Sequence, residues 1–318
     1  MKNNELVVTT QINNNLENVN IFDVNIINRW FAFADVTQKS QSTYMAALKQ
    51  MFKYFATNNI VKPARVDIEN WRDELKQTRK PATVALYMTT AKIFFKWLAQ
   101  EKIYDNIADN VKCRIKTAKT HKKDALSVQQ SKDLLAVTNG NSLKAKRDKA
   151  IIALMLTCAL RTVEVVRSNV EDLRTVNGVL ILFVQGKGRD SKNECVAIPS
   201  QVEVLIREYL SARGDYKADS PLFVATSNRN KGARLQTQTI SRLVKSKLRA
   251  AGMDSPKLTA HSLRHYAGTQ MVLNGSSLQQ VQQVLRHVNV STTMIYLHDV
   301  ERIKNRAEQS VADVLFSA

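Results

Sequence analysis

The chain has few cysteines: Cys113, Cys158 and Cys195 stand far apart, with no C-x-x-C pair among them. That argues against a disulfide framework and a cysteine zinc centre and fits a reducing cytosol. No window approaches the roughly 18 apolar residues of a membrane helix. The opening MKNNELVVTTQINNNLENVN also lacks a basic segment followed by an apolar core. A soluble, unexported cytoplasmic protein with no membrane partner is expected. There is no internal repeat, no low-complexity tract beyond the N-terminal asparagines, and no strand signal before about residue 125. Acids are scarce as well: 28 Asp and Glu face 47 Lys and Arg, for a net charge of +19. Such a field attracts polyanions, nucleic acid first. Residues 1–123 carry 20 basic against 11 acidic side chains and the remainder 27 against 17, as expected if both parts grip one ligand.

A length of 318 residues implies about two domains. Residues 1–20 read as a flexible N-terminus and 21–110 as an all-helical domain with four helices. In STYMAALKQMFKYFA, the side chains Tyr44, Leu48, Met51, Phe52 and Phe55 share one face. In RKPATVALYMTTAKIFFKWLAQEK, Pro81 falls in the first turn, and Val84, Met88, Ala91, Phe95 and Leu98 form the buried stripe. Residues 111–124, VKCRIKTAKTHKKD, form a basic linker, either solvated or lying along a phosphate backbone. Residues 125–318 read as a second domain, with the buried helix DKAIIALMLTCAL and two strand-like runs, VLILFVQ and ECVAIP, joined by GKGRDSKN. Further helices follow, the last spanning VERIKNRAEQSVADVLF. The fold class is mostly α with a small antiparallel β-sheet.

Four of the five histidines fall after residue 260, beside Arg264, Arg286 and Tyr296. His261 and Arg264 lie at i and i+3, so both leave one helical face. His261 and His265 are spaced to share a zinc, but Ser262 and the lack of a general-base glutamate break the H-E-x-x-H pattern, and His265 reads as structural. Upstream, Arg161 follows the apolar helix and needs an acid or a bound anion as partner. Lys187 lies at a glycine-flanked turn, a better-placed acid than Lys192 in the same hairpin. Together these suit a phosphodiester. Two guanidinium groups clamp its oxygens, tyrosine supplies a nucleophile, and histidine and lysine handle protons. Side-chain cations stand where a metal would, so neither metal nor other cofactor is expected.

The ordered elements ALRTVE, GKGRD, HSLRH and LRHVNVSTTMIY, after a helical domain, resemble the tyrosine recombinase (phage integrase) family over essentially the whole chain. The resemblance implies a helical core-binding domain and a catalytic domain forming a C-shaped clamp around double-stranded DNA with specific recombination sites. Arg161 and Arg264 would bind the scissile phosphate and Lys187 would protonate the 5′-oxygen. His261 would assist proton transfer, His287 would hydrogen-bond the phosphate, Tyr296 would attack, and Glu164 would orient Arg161. It further implies a homotetramer, a Holliday junction, and integration, excision or dimer resolution in a bacterial or phage-related nucleoid, with a directionality or host factor left open. The short chain leaves little room for an arm-site domain, which favours an Xer-like or compact mobile-element integrase. Two residues depart from the family pattern, Ala159 and Arg286, each where glycine is usual. Arg286 either faces DNA or points outward.

Lys80, Thr83, Lys92 and Lys96 lie off the apolar stripe of the fourth helix, and Lys116 and Lys119 lie in the linker. Arg234, Thr237, Arg242 and Lys245 surround a helix start. All are candidate DNA contacts, with a solvated surface as the alternative. The apolar tail SVADVLFSA docks either on its own domain or on a neighbouring subunit. Two rival functions share the residues: a topoisomerase or resolvase of the same chemistry, and a catalytically silent DNA-binding regulator.

Overall fold

The computed structural model describes residues 23–113, 124–186, 189–305 and 307–316, with the backbone alone over 299–304. The chain divides into two compact units, Met1–Ala118 and Lys119–Ala318.

In the first unit, α1 (Val24–Ala34), α2 (Gln38–Thr57), α3 (Arg65–Thr78) and α4 (Pro81–Gln100) pack into a helical bundle. Their starts are set by short polar caps. The Asp23 carboxylate accepts from the Asn25 N–H at 2.8 Å, Thr37 caps α2, and Asp67 accepts from the Ala64 N–H at 2.7 Å. Pro81 takes the first position of α4, where its missing N–H removes nothing. The stripe Val84, Met88, Ala91, Phe95 and Leu98 is buried. On α2, Leu48, Met51 and Phe55 are buried, while Tyr44 and Phe52 only flank the core. Trp30 meets Phe94 edge-on at 5.2 Å, and Trp71 stacks on Tyr87 at 6.3 Å. Each such side chain removed from water contributes about 1.5–3 kcal/mol, so the aromatic core is what holds these four helices together.

The second unit is built on α6 (Leu143–Thr157), whose run Ala150–Leu156 is buried on every side. It packs between α8 (Ser200–Arg213) and α10 (Ala260–Leu273). Around it lie α5 (Val128–Ala136), α7 (Thr162–Arg167), α9 (Thr237–Ala250), α11 (Leu278–Leu285), α12 (Val290–Lys304) and α13 (Ala307–Phe316). The sheet has three strands in the order β1 (Leu173–Val176), β2 (Val179–Val184) and β3 (Glu194–Ala197), all antiparallel. Thus the sequence reading of two strands falls one short. The four residues of β1 are mostly exposed, but Asn177 and Gly178, at φ 51° and 79°, are the Asn-Gly pair of a two-residue hairpin and betray it. The C-terminal helix also differs from expectation. It opens at Val290, because Asn289 Oδ1 accepts from the Ser291 N–H at 2.9 Å, and it breaks before α13. The segment VNVST therefore leads directly into the helix. Among the described residues no helix is long and apolar enough to cross a membrane.

Candidate active site

The turn between α6 and α7 places the first arginine. Ala159 adopts a left-handed conformation, φ 53°, which reverses the chain so that Arg161 becomes the N-cap of α7. Glu164, in the first turn, reaches back. Its Oε2 accepts from the Arg161 backbone N–H at 2.8 Å, and its Oε1 accepts from Arg161 Nη1 at 2.7 Å. Glu164 is fully buried, whereas the Arg161 side chain retains 25% exposure. Arg161 Nη2 also donates to the Arg286 carbonyl at 3.1 Å.

Thr259 caps α10 and fixes the phase of the helix that carries His261, Arg264, His265 and Gly268. Arg264 is buried; Nη1 donates to the Ala159 carbonyl at 2.6 Å, Nη2 donates to the Leu285 carbonyl, and Nε has no hydrogen-bond partner. Burial, then the like charges of Arg161 and Arg286, pull its pKa down to about 9, against the opposing pull of Glu164 and Tyr296. The guanidinium is still cationic at neutral pH. His261 is exposed and meets His265 edge-on at 4.6 Å.

Arg286 closes α11 in a left-handed conformation, φ 50° and ψ 49°. Neither expected orientation occurs, because its guanidinium turns inward. Nη2 donates to Glu164 Oε2 at 2.8 Å and to the Ala159 carbonyl at 3.2 Å, and Nη1 donates to the Val284 carbonyl at 2.6 Å. Burial pushes the Glu164 carboxyl up, but Arg286 and then Arg161 outweigh it and hold it below the ordinary carboxylate value. The next residue, His287, contacts Thr293 Oγ1 through Nδ1 at 2.9 Å. Burial, then the charges of Arg264, Arg161, His261 and Arg286, lower its pKa to about 3, so the imidazole is neutral at working pH.

Tyr296 sits on α12 in an apolar cluster with Ala159, Ala267, Val281 and Leu285, only 2% exposed. Its hydroxyl shares a hydrogen bond with His265 Nδ1 at 2.9 Å, and its ring lies 6.4 Å from that of His287. Gly268 leaves room for the ring; a Cβ there would approach Cε1 to 2.8 Å. His265 is thus structural in a particular sense, as the partner of the tyrosine oxygen. Its contact 31 residues away has no sequence signal. Gly268 does have one, an isolated glycine within a helical run.

Arg161, Glu164, Arg264, His287 and Tyr296 therefore converge, joined by Arg286 and His265. Lys187 lies outside the described residues, as do Lys116 and Lys119. Lys192 is held by Asp172 at 2.6 Å. On the first unit Lys80 and Lys96 are exposed, and Thr83 and Lys92 half-buried. In the second, Thr237 and Arg242 are exposed at the start of α9. Arg234 spends its guanidinium on the Val166 carbonyl at 2.8 Å and Asn169 Oδ1 at 2.6 Å, and Lys245 is tied to Asp254 at 2.9 Å.

Chemically, two cationic guanidinium groups, one with an unsatisfied buried N–H, beside a neutral imidazole and a phenol can receive a tetrahedral anion and a nucleophilic step. The model described as "Phage integrase family" matches residues 124–302, and "Phage integrase, N-terminal SAM-like domain" matches 27–102. A relative named tyrosine recombinase XerD, from Proteus mirabilis, is 27% identical over 312 residues, covering 96% of this chain and 97% of that protein. A tyrosine recombinase XerC from Thermodesulfovibrio yellowstonii is 26% identical, covering 82% of this chain and 87% of its own. Among solved structures, the XerH site-specific recombinase bound to a palindromic difH substrate shares the fold. Its TM-score is 0.70 at 20% identity, with 94% of this chain and 91% of that chain covered. A lambda integrase dimer bound to a COC′ core site gives 0.64 at 16% identity, covering 84% and 95%.

Proposed function

Because the chain belongs to the phage integrase family, we propose that it is a site-specific DNA recombinase working through a covalent 3′-phosphotyrosine. The observation that carries this reading is the convergence of Arg161, Arg264, His287 and Tyr296, with the Arg264 Nε buried and unpartnered. A phosphate oxygen is what such a donor lacks.

Arg161 and Arg264 hold the non-bridging oxygens and neutralise the charge that grows in the pentacovalent transition state. The Tyr296 oxygen bonds to phosphorus as the bond to the 5′-oxygen breaks. The phenolic proton passes to a base with His261 assisting, and Lys187 protonates the leaving 5′-oxygen. With the Thr293 hydroxyl donating to Nδ1, the neutral His287 keeps its proton on Nε2 and hydrogen-bonds a phosphate oxygen through that N–H. Attack by a 5′-hydroxyl of the partner strand on the phosphotyrosine reverses the step, so bond energy is conserved and no nucleotide is hydrolysed. Since Tyr296 is only 2% exposed, the reaction includes a shift of α12 that brings its oxygen to the phosphate.

The helical unit, residues 21–110, is the core-binding domain in this reading, with Lys80, Thr83 and Lys92 toward DNA. Lys116 and Lys119 follow the backbone, and the exposed Thr237 and Arg242 add contacts from the catalytic unit, whereas Arg234 and Lys245 are engaged by protein groups instead. A tetramer on two sites, a Holliday junction and a place in the nucleoid belong to the same reading. The exposed Val314, Leu315 and Phe316 of α13 support docking on a neighbouring subunit. The names of the relatives favour recombination over simple relaxation. The test is a nicked suicide duplex incubated in EDTA. Wild type traps a covalent adduct and Tyr296→Phe traps none; no adduct with wild type, or an adduct with Tyr296→Phe, sinks the reading.

A further inference from the structure

Glu164 is fully buried yet carries two cations: Arg161 Nη1 lies 2.7 Å from Oε1, and Arg286 reaches both oxygens, Nη2 at 2.8 Å from Oε2 and Nε at 3.5 Å from Oε1. The two guanidinium groups are not equivalent. The Arg286 side chain is 3% exposed and further anchored to the carbonyls of Val284 and Ala159, whereas that of Arg161 is 25% exposed. Arg161, whose Nη2 donates to the carbonyls of Arg286 at 3.1 Å and Leu285 at 3.4 Å, is the member open to a ligand, and Arg286 is the enclosed one. Were Arg161 the sole partner, its transfer to a phosphate would leave a buried carboxylate unpaired, which is strongly unfavourable. With Arg286 in place, Glu164 remains neutralised at both ends of that movement.

We propose that Arg286 is a positioning residue for phosphate binding, which holds the charge of Glu164 so that the Arg161 guanidinium can turn to the scissile phosphate. This rests on the recombinase reading above. The backbone makes the guanidinium separable from its scaffold. At φ 50° a non-glycine residue is strained, so Arg286→Gly keeps the turn, relieves the conformation and removes only the charged group.

In single-turnover adduct formation at saturating DNA, Arg286→Gly is expected to slow the cleavage step by about tenfold or more while leaving DNA affinity within about twofold. Adding Glu164→Gln, which removes the charge that detains Arg161, is expected to bring the rate back to that of Glu164→Gln alone. Arg286→Lys should fall between wild type and Arg286→Gly. A purely structural role predicts no rescue by Glu164→Gln. Wild-type speed in Arg286→Gly, or a double variant no faster than Arg286→Gly, overturns the proposal.

A second arm needs no activity. In the DNA-free protein, Arg161→Ala combined with Arg286→Gly is expected to lower the melting temperature by more than the sum of the single losses, because only then is Glu164 left without a cation. Additive losses overturn the proposal even if cleavage behaves as expected. A wild type that forms no adduct sinks the recombinase reading, and with it the phosphate-bound half of the proposal. The melting cycle then still decides whether Arg286 holds Glu164.

Discussion

The two units bury different chemistry. In the first, among the described residues, Thr90 is the lone buried polar side chain, and the interior is Trp30, Trp71, Phe94, Phe95 and their aliphatic neighbours. The second buries Arg147, Asp148, Glu164, Arg264, His265 and Arg286. Apolar burial is non-directional and tolerates changes that keep volume. Buried charge does not, because each group needs a partner at hydrogen-bond distance. The first unit therefore draws its order from shape, whereas the second draws part of its order from a charge network that includes Glu164, Arg264 and Arg286.

The largest effect should come from the apolar side. Trp30 is fully buried against Phe31, Tyr44 and Phe94. Trp30→Ala is expected to cost the first unit about 3–5 kcal/mol. Hydrogen exchange of the α2 and α4 amides measures the loss, which should be the same at pH 5 and pH 7 because no titrating group is involved. A loss that changes with pH would break the contrast between the units.

The same contrast explains what could be read in advance. Periodicity at 3.6 residues located α2 and α4, since Leu48, Met51, Phe55, Val84, Met88 and Leu98 have one requirement, burial, and spacing shows it. Arg161, Arg264 and Tyr296, which the fold brings together, are legible through ordered motifs. Arg286 was not, because the direction of a side chain on a left-handed residue depends on what lies beneath it, and Glu164 comes from 122 positions away. The His265 contact was hidden for the same reason, by its distance along the chain from Tyr296. The sequence signal of β1 is the turn pair Asn177-Gly178 and not a periodic run.

A smaller effect tests the tyrosine's seat. A Cβ on Gly268 would press on the Tyr296 ring at 2.8–3.1 Å, too close to accept without displacement. Gly268→Ala is expected to cost about 1–3 kcal/mol, as overpacking does. The ring should also leave its seat, and nitration followed by mass spectrometry should find Tyr296 modified in the variant and protected in wild type. A protected Tyr296 in the variant would show that the second unit repacks as freely as the first, and the contrast would weaken.

The smallest effect carries a sign that only the charged unit can show. His287 is neutral in the folded protein down to about pH 3, held there by burial and by Arg264, Arg161, His261 and Arg286. The unfolded imidazole takes a proton near pH 6.5. Below that value the unfolded state binds more protons than the folded one, so stability rises with pH from about 3 to about 6.5 and is lost on acidification. The ceiling is about 1.4 kcal/mol per pH unit, and solvent at the half-buried ring screens part of it, leaving under about 1 kcal/mol at pH 5.5. His287→Asn should therefore flatten the fall of the urea midpoint between pH 7 and pH 5.5. Above pH 7, where both states hold a neutral imidazole, the two proteins should differ by a constant. Glu164 does not blur this window, since with its carboxyl pKa lowered its own loss of stability begins only as pH falls through the ordinary carboxylate range and continues below it. Equal slopes in the two proteins would mean that His287 is solvated like a surface imidazole, and the neighbouring cations would then be screened too well to act as a preorganised phosphate site.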